Sequence, residues 1–198
     1  MNRYFIAAIP PAYLANYITG IKQSIAEKYD SKAALNQPPH ITLVPPFQLE
    51  DSKINRVSKV IAECLQMNTT PFLITLENYS SFPPKVIFMQ VVSNSKLIKL
   101  ASDVNKVLYS EGLIKSFDYD LHPHVTVAFK DLTEENYKLA WEEYKDKNVY
   151  FDWDLNQLSV LKYVDKQWVV VKDVYYFFGY TDNGNLRFPK GIAIRHYE

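Results

Sequence analysis

Two stretches of the chain share one form: Pro38-Pro39-His40-Ile41-Thr42-Leu43 and His122-Pro123-His124-Val125-Thr126-Val127. Each is a His-aliphatic-Thr unit set just after proline in a run of strand-forming residues. Side chains two apart along a strand lie on one face. His40 and Thr42 are therefore predicted to share a face, as are His124 and Thr126. Ile41, Leu43, Val125 and Val127 point the other way, into a core. The chain thus presents one imidazole-plus-hydroxyl pair twice. Two imidazoles, one taking a proton while the other gives one, suit the splitting of a phosphodiester without a metal.

Outward from these strands, the pattern alternates strands and helices. Residues 3–9 read as a buried strand. Residues 11–28 read as a helix whose apolar face is Tyr13, Leu14, Tyr17, Ile18, Ile21 and Ile25. The first His strand is expected to close at Pro45-Pro46. A helix over 51–66 follows, with Asp51 or Ser52 as its N-cap. Strands over 72–79 and 86–92 flank a rigid loop, Ser80-Ser81-Phe82-Pro83-Pro84. Then come a helix over 95–110, the second His strand over 124–129, and a helix over 133–144 begun by Thr133. Strands over 150–154, 157–164 and 168–178 follow. A turn at 182–185 leads into a tail that forms a last strand or an arm. The order helix, His-bearing strand, helix, strand, strand occurs twice, as a pattern only. The expected fold is α+β: two lobes in one unit, each an antiparallel sheet covered by helices, with the His strands facing across a cleft.

Composition narrows the function classes. With 47% hydrophobic residues the chain can build a core, and its formal net charge is zero. A broad basic surface that coats long nucleic acid is excluded, which leaves a short RNA end or a small phosphorylated ligand. The single cysteine, Cys64, permits no intrachain disulfide and fits a reducing compartment as a small apolar side chain on a helix. The apolar run at residues 5–9 stops at Pro10-Pro11, too short for a signal sequence. No run approaches the roughly 18 residues of a membrane span. A soluble, cytoplasmic monomer is expected.

The paired segments resemble those of the 2H phosphoesterase superfamily, specifically its 2′-5′ RNA ligase and cyclic phosphodiesterase branch. The resemblance rests on His40-Ile41-Thr42-Leu43 and on the run His122-Pro123-His124-Val125-Thr126-Val127-Ala128. The opening strand Tyr4-Phe5-Ile6-Ala7-Ala8-Ile9-Pro10 supports it, as does the late strand over 158–164. It spans roughly residues 3–178. It implies a bilobal fold with pseudo-twofold symmetry around a central cleft, so that residues 1–198 form one domain of two intertwined lobes. It also implies a metal-free site acting on a 2′-linked phosphodiester or a 2′,3′-cyclic phosphate of RNA ends or nucleotides, with ligation as the reverse. His40 and His124 would be general base and general acid, and Thr42 and Thr126 would bind the phosphate oxygens. Leu43-Val44-Pro45-Pro46-Phe47 stands where many relatives have a small glycine-containing turn.

The residues have blander readings too. Each histidine alone reads as a buried strand residue; the duplication favours a catalytic pair. His122, beside Pro123, reads as structural. His122, His124 and Asp120 could ligate zinc, but nothing near His40 completes a ligand set, so neither metal nor cofactor is expected. Phe47, Phe82 and Tyr119, in loops near the motif strands, are candidates for base stacking. Lys85 and Lys130 read as solvated. The rival reading is a non-catalytic module that keeps the cleft to bind nucleotide or RNA. Binding alone does not require two titrating imidazoles.

Overall fold

The computed structural model describes residues 1–68, 70–117 and 120–176, with the backbone of 179–180, 186–187 and 194–196. Strand β1 (Asn2–Ala8) is buried on both faces. Tyr4, Ile6 and Ala8 enter the main core, while Phe5 and Ala7 pack on the opposite face with Leu161. Helix α1 (Ala12–Tyr29) buries Leu14, Ile18, Lys22, Ile25 and Tyr29. The face expected from sequence is corrected here. Tyr13 and Tyr17 are exposed, and Tyr17 instead packs its ring 4.9 Å from Phe151.

Strand β2 (Ile41–Leu49) runs straight through Pro45-Pro46, where a strand end was expected. Opposite β1 the register passes from Ile6↔Val44 to Tyr4↔Phe47, so both prolines fall within a shift. β2 is also an edge strand, and a missing N–H is tolerated at an edge or bulge. Neither Asp51 nor Ser52 is the helix N-cap that the sequence suggested. Asp51 opens a 3-10 turn, Asp51–Lys53, ahead of α2 (Ile54–Met67). Its carboxylate accepts instead from Asn2 Nδ2 at 2.7 Å, Tyr4 OH at 2.6 Å and Lys162 Nζ at 2.7 Å. These bonds hold it well below the usual carboxylate range.

Strands β3 (Phe72–Phe82) and β4 (Val86–Val91) extend through most of the expected loop, with Ser80 opposite Phe88 and Phe82 opposite Val86. The connection shrinks to residues 83–85. Helix α3 (Ser95–Ser110) begins at Asn94, whose side chain accepts from the Lys96 and Leu97 amides. Strand β5 (His124–Ala128) follows. Thr133 accepts from the Asn136 amide to start α4 (Glu134–Tyr144). Strands β6 (Tyr150–Leu155), β7 (Gln157–Val164) and β8 (Gln167–Tyr175) complete the main body. In the tail, β9 (Gly179–Tyr180) pairs with β10 (Leu186–Arg187), and β11 (Ile194–His196) adds to the edge at β8. The expected turn at 182–185 and the expected end of β8 at 178 lie outside the described residues.

The fold is α+β, with antiparallel sheets in the orders β11-β8-β7-β1-β2 and β5-β4-β3-β6. The sheets do not follow the two halves of the sequence. Strands β3 and β4 lie beside the second His strand, and β7 and β8 return to the first. The helices cross as well. α1 packs on β5 and α4, while α3 packs on β2 and α2. Asn105 of α3 donates to the Leu43 carbonyl of β2 at 2.9 Å. One buried cluster, including Ile6 and Leu43 from one sheet and Met89 and Val125 from the other, joins both sheets. Cys64 is buried in it, and desolvation pushes its thiol up to about 11. Among the described residues no helix is long and apolar enough to cross a membrane.

Candidate active site

β2, which begins one residue after His40, and β5, which opens with His124, are each an edge strand of their sheet and lie next to each other. Ile41, Leu43, Val125 and Val127 are fully buried. Thr42 therefore shares the opposite face with Ala7, its partner across the β1–β2 ladder. Thr126 lies across from Phe88, and His124 from Gln90.

Both imidazoles are locked in the same way. His40 Nδ1 lies 2.8 Å from the Pro38 carbonyl, and His124 Nδ1 lies 2.6 Å from the His122 carbonyl. A carbonyl only accepts, so Nδ1 carries the proton in each ring and Nε2 keeps a free lone pair. The proline between carbonyl and histidine, Pro39 or Pro123, holds this segment extended. Each ring also rests on a phenylalanine of the neighbouring strand. The His40 and Phe5 centroids are 4.8 Å apart, as are those of His124 and Phe88. Phe5 and Phe88 are buried, and their place beneath the imidazoles has no signal in the sequence beyond their strands.

Burial lowers the proton affinity of both rings. His40 is pushed down to about 4, with the charges of Lys22 and His124 adding to desolvation and the Pro38 carbonyl opposing it. His124 is also lowered, by burial first, with the His122 carbonyl opposing and the charge of the His122 ring adding to it. Both rings are neutral near pH 7 in the free protein, and a phosphate anion between them would restore proton affinity. A test follows from linkage. The unfolded chain protonates His40 below about 6.5, but the native chain does so only below about 4. Between those values the unfolded state holds more protons, so stability rises with pH and falls on acidification. Urea unfolding should show a loss on the order of 1 kcal/mol between pH 7 and pH 5. His40→Asn should flatten part of that loss.

Lys22 is the site's unforeseen neighbour. It is 1% exposed, and its ammonium donates to the carbonyls of Ala34 and Gln37 at 3.1 Å each. Desolvation lowers it to about 7. These bonds brace the 3-10 turn Ala33–Asn36, which runs into Pro38, the acceptor for His40. Asp131, just past β5, grips the start of that turn through the Lys32 and Ala33 amides at 2.8 Å each. The approach to His40 is thus held from α1 and from the segment after β5.

The stacking candidates are distributed unevenly. Phe82 is 40% exposed and stands edge-on to His122 at 5.1 Å and His124 at 5.5 Å. Phe47 leans on Tyr4, with centroids 6.3 Å apart, against the main core. Tyr119 lies outside the described residues. His122 is exposed, its ring 6.3 Å from that of His124.

Residues 10–167 match the 2′-5′ RNA ligase superfamily. The chain belongs to that superfamily. Relatives whose names include the word phosphoesterase support the assignment. A Bacillus pumilus (strain SAFR-032) protein is 36% identical over 118 residues, covering 59% of this chain and 66% of its own. A Geobacillus sp. (strain WCH70) protein is 28% identical over 172 residues, covering 85% and 92%. Among solved structures, apo LigT of E. coli matches with a TM-score of 0.60 at 17% identity, covering 99% of this chain and 98% of LigT. A Thermus thermophilus protein gives 0.57 at 16% identity, covering 99% and 95%. This member of the 2′-5′ RNA ligase superfamily therefore has the LigT fold and an enzyme function of the phosphoesterase kind.

Proposed function

We propose that this superfamily member is a metal-independent phosphodiesterase. It opens 2′,3′-cyclic phosphates or cleaves 2′-5′ linkages of RNA ends or nucleotides, and it can run the reverse 2′-5′ joining. The observation that carries the reading is the duplicated lock, His40 Nδ1 on the Pro38 carbonyl and His124 Nδ1 on the His122 carbonyl. Each leaves one Nε2 for proton exchange at edges that meet. Water attacks phosphorus in line with the departing ribose oxygen. The neutral imidazole takes the water proton, and the other, protonated with the substrate's phosphate bound, gives its proton to the leaving oxygen. Thr42 and Thr126 donate to the phosphoryl oxygens as charge develops. LigT has been solved in complex with 3′-AMP and with phosphate, ligands that match a phosphate-ended nucleotide.

The discriminating assay follows hydrolysis of 2′,3′-cyclic nucleotides and 2′-5′ dinucleotides in excess EDTA. Full turnover is expected, since two proton carriers and hydroxyl donors do the work assigned to them. Loss of activity in chelator, restored by zinc or magnesium, would overturn the metal-free mechanism. Tight nucleotide binding without turnover would favour the rival binding module.

A further inference from the structure

Beyond the phosphate site, one face of the five-stranded sheet carries an aromatic path. It starts at His40, whose ring lies 4.8 Å from Phe5. Phe5 meets Trp168 edge-on at 4.6 Å, and Trp168 meets Tyr163 at 5.1 Å. The Arg3 guanidinium lies over both, 5.4 Å from the Tyr163 centroid and 5.5 Å from that of Trp168. Phe5 and its apolar neighbours Ala7 and Leu161 form a small cluster separate from the main core. This surface is therefore not simply the outer skin of that core. Tyr163 is 37% exposed, Arg3 is exposed and Trp168 is half-buried.

On this face the Asp173 carboxylate is buried and accepts from Ser159, and the pocket beside Arg3 is cationic. Arg3 also lines a pocket with Pro45, Pro46, Phe47, Gln48 and Lys115, and no carboxylate lines it among the described residues. Arg3 has no salt-bridge partner among the described residues either. A flat cation held over partly exposed aromatic rings matches an anionic chain that carries flat bases. Every base offers a π-face to such a platform, and the guanidinium adds attraction for the phosphate. Arg3 lies two residues from Phe5 on the same strand face, about 7 Å along β1. That places the platform on the order of 10 Å from His40, beyond the reacting phosphate.

Resting on the reading of the site given above, we propose that Arg3, Tyr163 and Trp168 form a stacking subsite for a second nucleotide of single-stranded RNA. The enzyme then prefers a short RNA end to a mononucleotide. The subsite selects for length and not for sequence, because stacking is tolerant of base identity.

The test measures binding by calorimetry, using oligoribonucleotides of one to four residues that end in a 3′-phosphate. Affinity should rise about tenfold or more from one residue to three, an ordinary gain for one stacked base. Arg3→Ala and Tyr163→Ala, both at exposed positions that should fold, are expected to abolish that rise. Arg3→Ala should also lower the slope of log K against log salt by about 0.7. Arg3→Lys should restore the salt slope but not the rise, since an ammonium does not stack. If the wild type turns over RNA but binds all lengths equally, or if the variants keep the rise, this subsite is wrong while the site reading stands. If the wild type neither binds nor turns over any of these RNAs, both fall together.

Discussion

His40→Ala and His124→Ala should each lower turnover of a 2′,3′-cyclic phosphate by about 10²–10⁴, the usual worth of one proton transfer. The expectation comes from geometry. Each ring makes one bond through Nδ1 to a local carbonyl and leaves Nε2 uncommitted. The fold should survive, because the rings are half-buried and their loss removes no long-range tie. The double variant should fall little below the worse single variant if the pair works as a unit. Single-turnover rates on folded protein, checked by circular dichroism, decide the matter. Near-native turnover in either single variant would end the two-histidine mechanism.

Phe88→Ala should cost about 3–5 kcal/mol of stability, a large part of a typical total of about 5–15 kcal/mol. The ring is 1% exposed. The rings against it are Phe82 at 4.5 Å, His124 at 4.8 Å and His122 at 6.0 Å. Removing it opens a cavity beneath His124, so activity should drop along with stability. Phe88→Leu should recover most of the stability and less of the activity, since a leucine fills volume without offering a flat seat. Urea titrations beside turnover rates would show the split. A fully stable Phe88→Ala protein would mean that the site closes over the gap.

How much of this was legible in the sequence depends on range. The alternation in both His segments is legible because strand period is a local property, and so is the capping of α4 by Thr133. The failures come from distant partners. Asp51 has the chemistry of an N-cap, yet Asn2, Tyr4 and Lys162 claim its carboxylate from other strands. Pro45-Pro46 reads as a strand end until β2 proves to be an edge with a register shift at that point. The segment 80–82 reads as loop, yet pairing with β4 makes it strand and brings Phe82 beside His124. Lys22 looks like a solvated lysine, since nothing in its own helix shows that the carbonyls of Ala34 and Gln37 will close over it. The division of strands between sheets is likewise a product of pairings such as Tyr4 with Lys162.

That pairing bears on how the chain is made. β1 leaves the ribosome ahead of the other strands described, yet its β7 neighbour emerges only after β3, β4, β5 and β6, which build the other sheet. Meanwhile Phe5, Ile6 and Ala7 form an apolar strand with one unpaired edge, a template for wrong partners. Such long-range closure is also slow. Nascent chains halted before residue 157 should therefore bind hydrophobic holdase chaperones and be cut readily by protease, and chains extended past residue 175 should resist both.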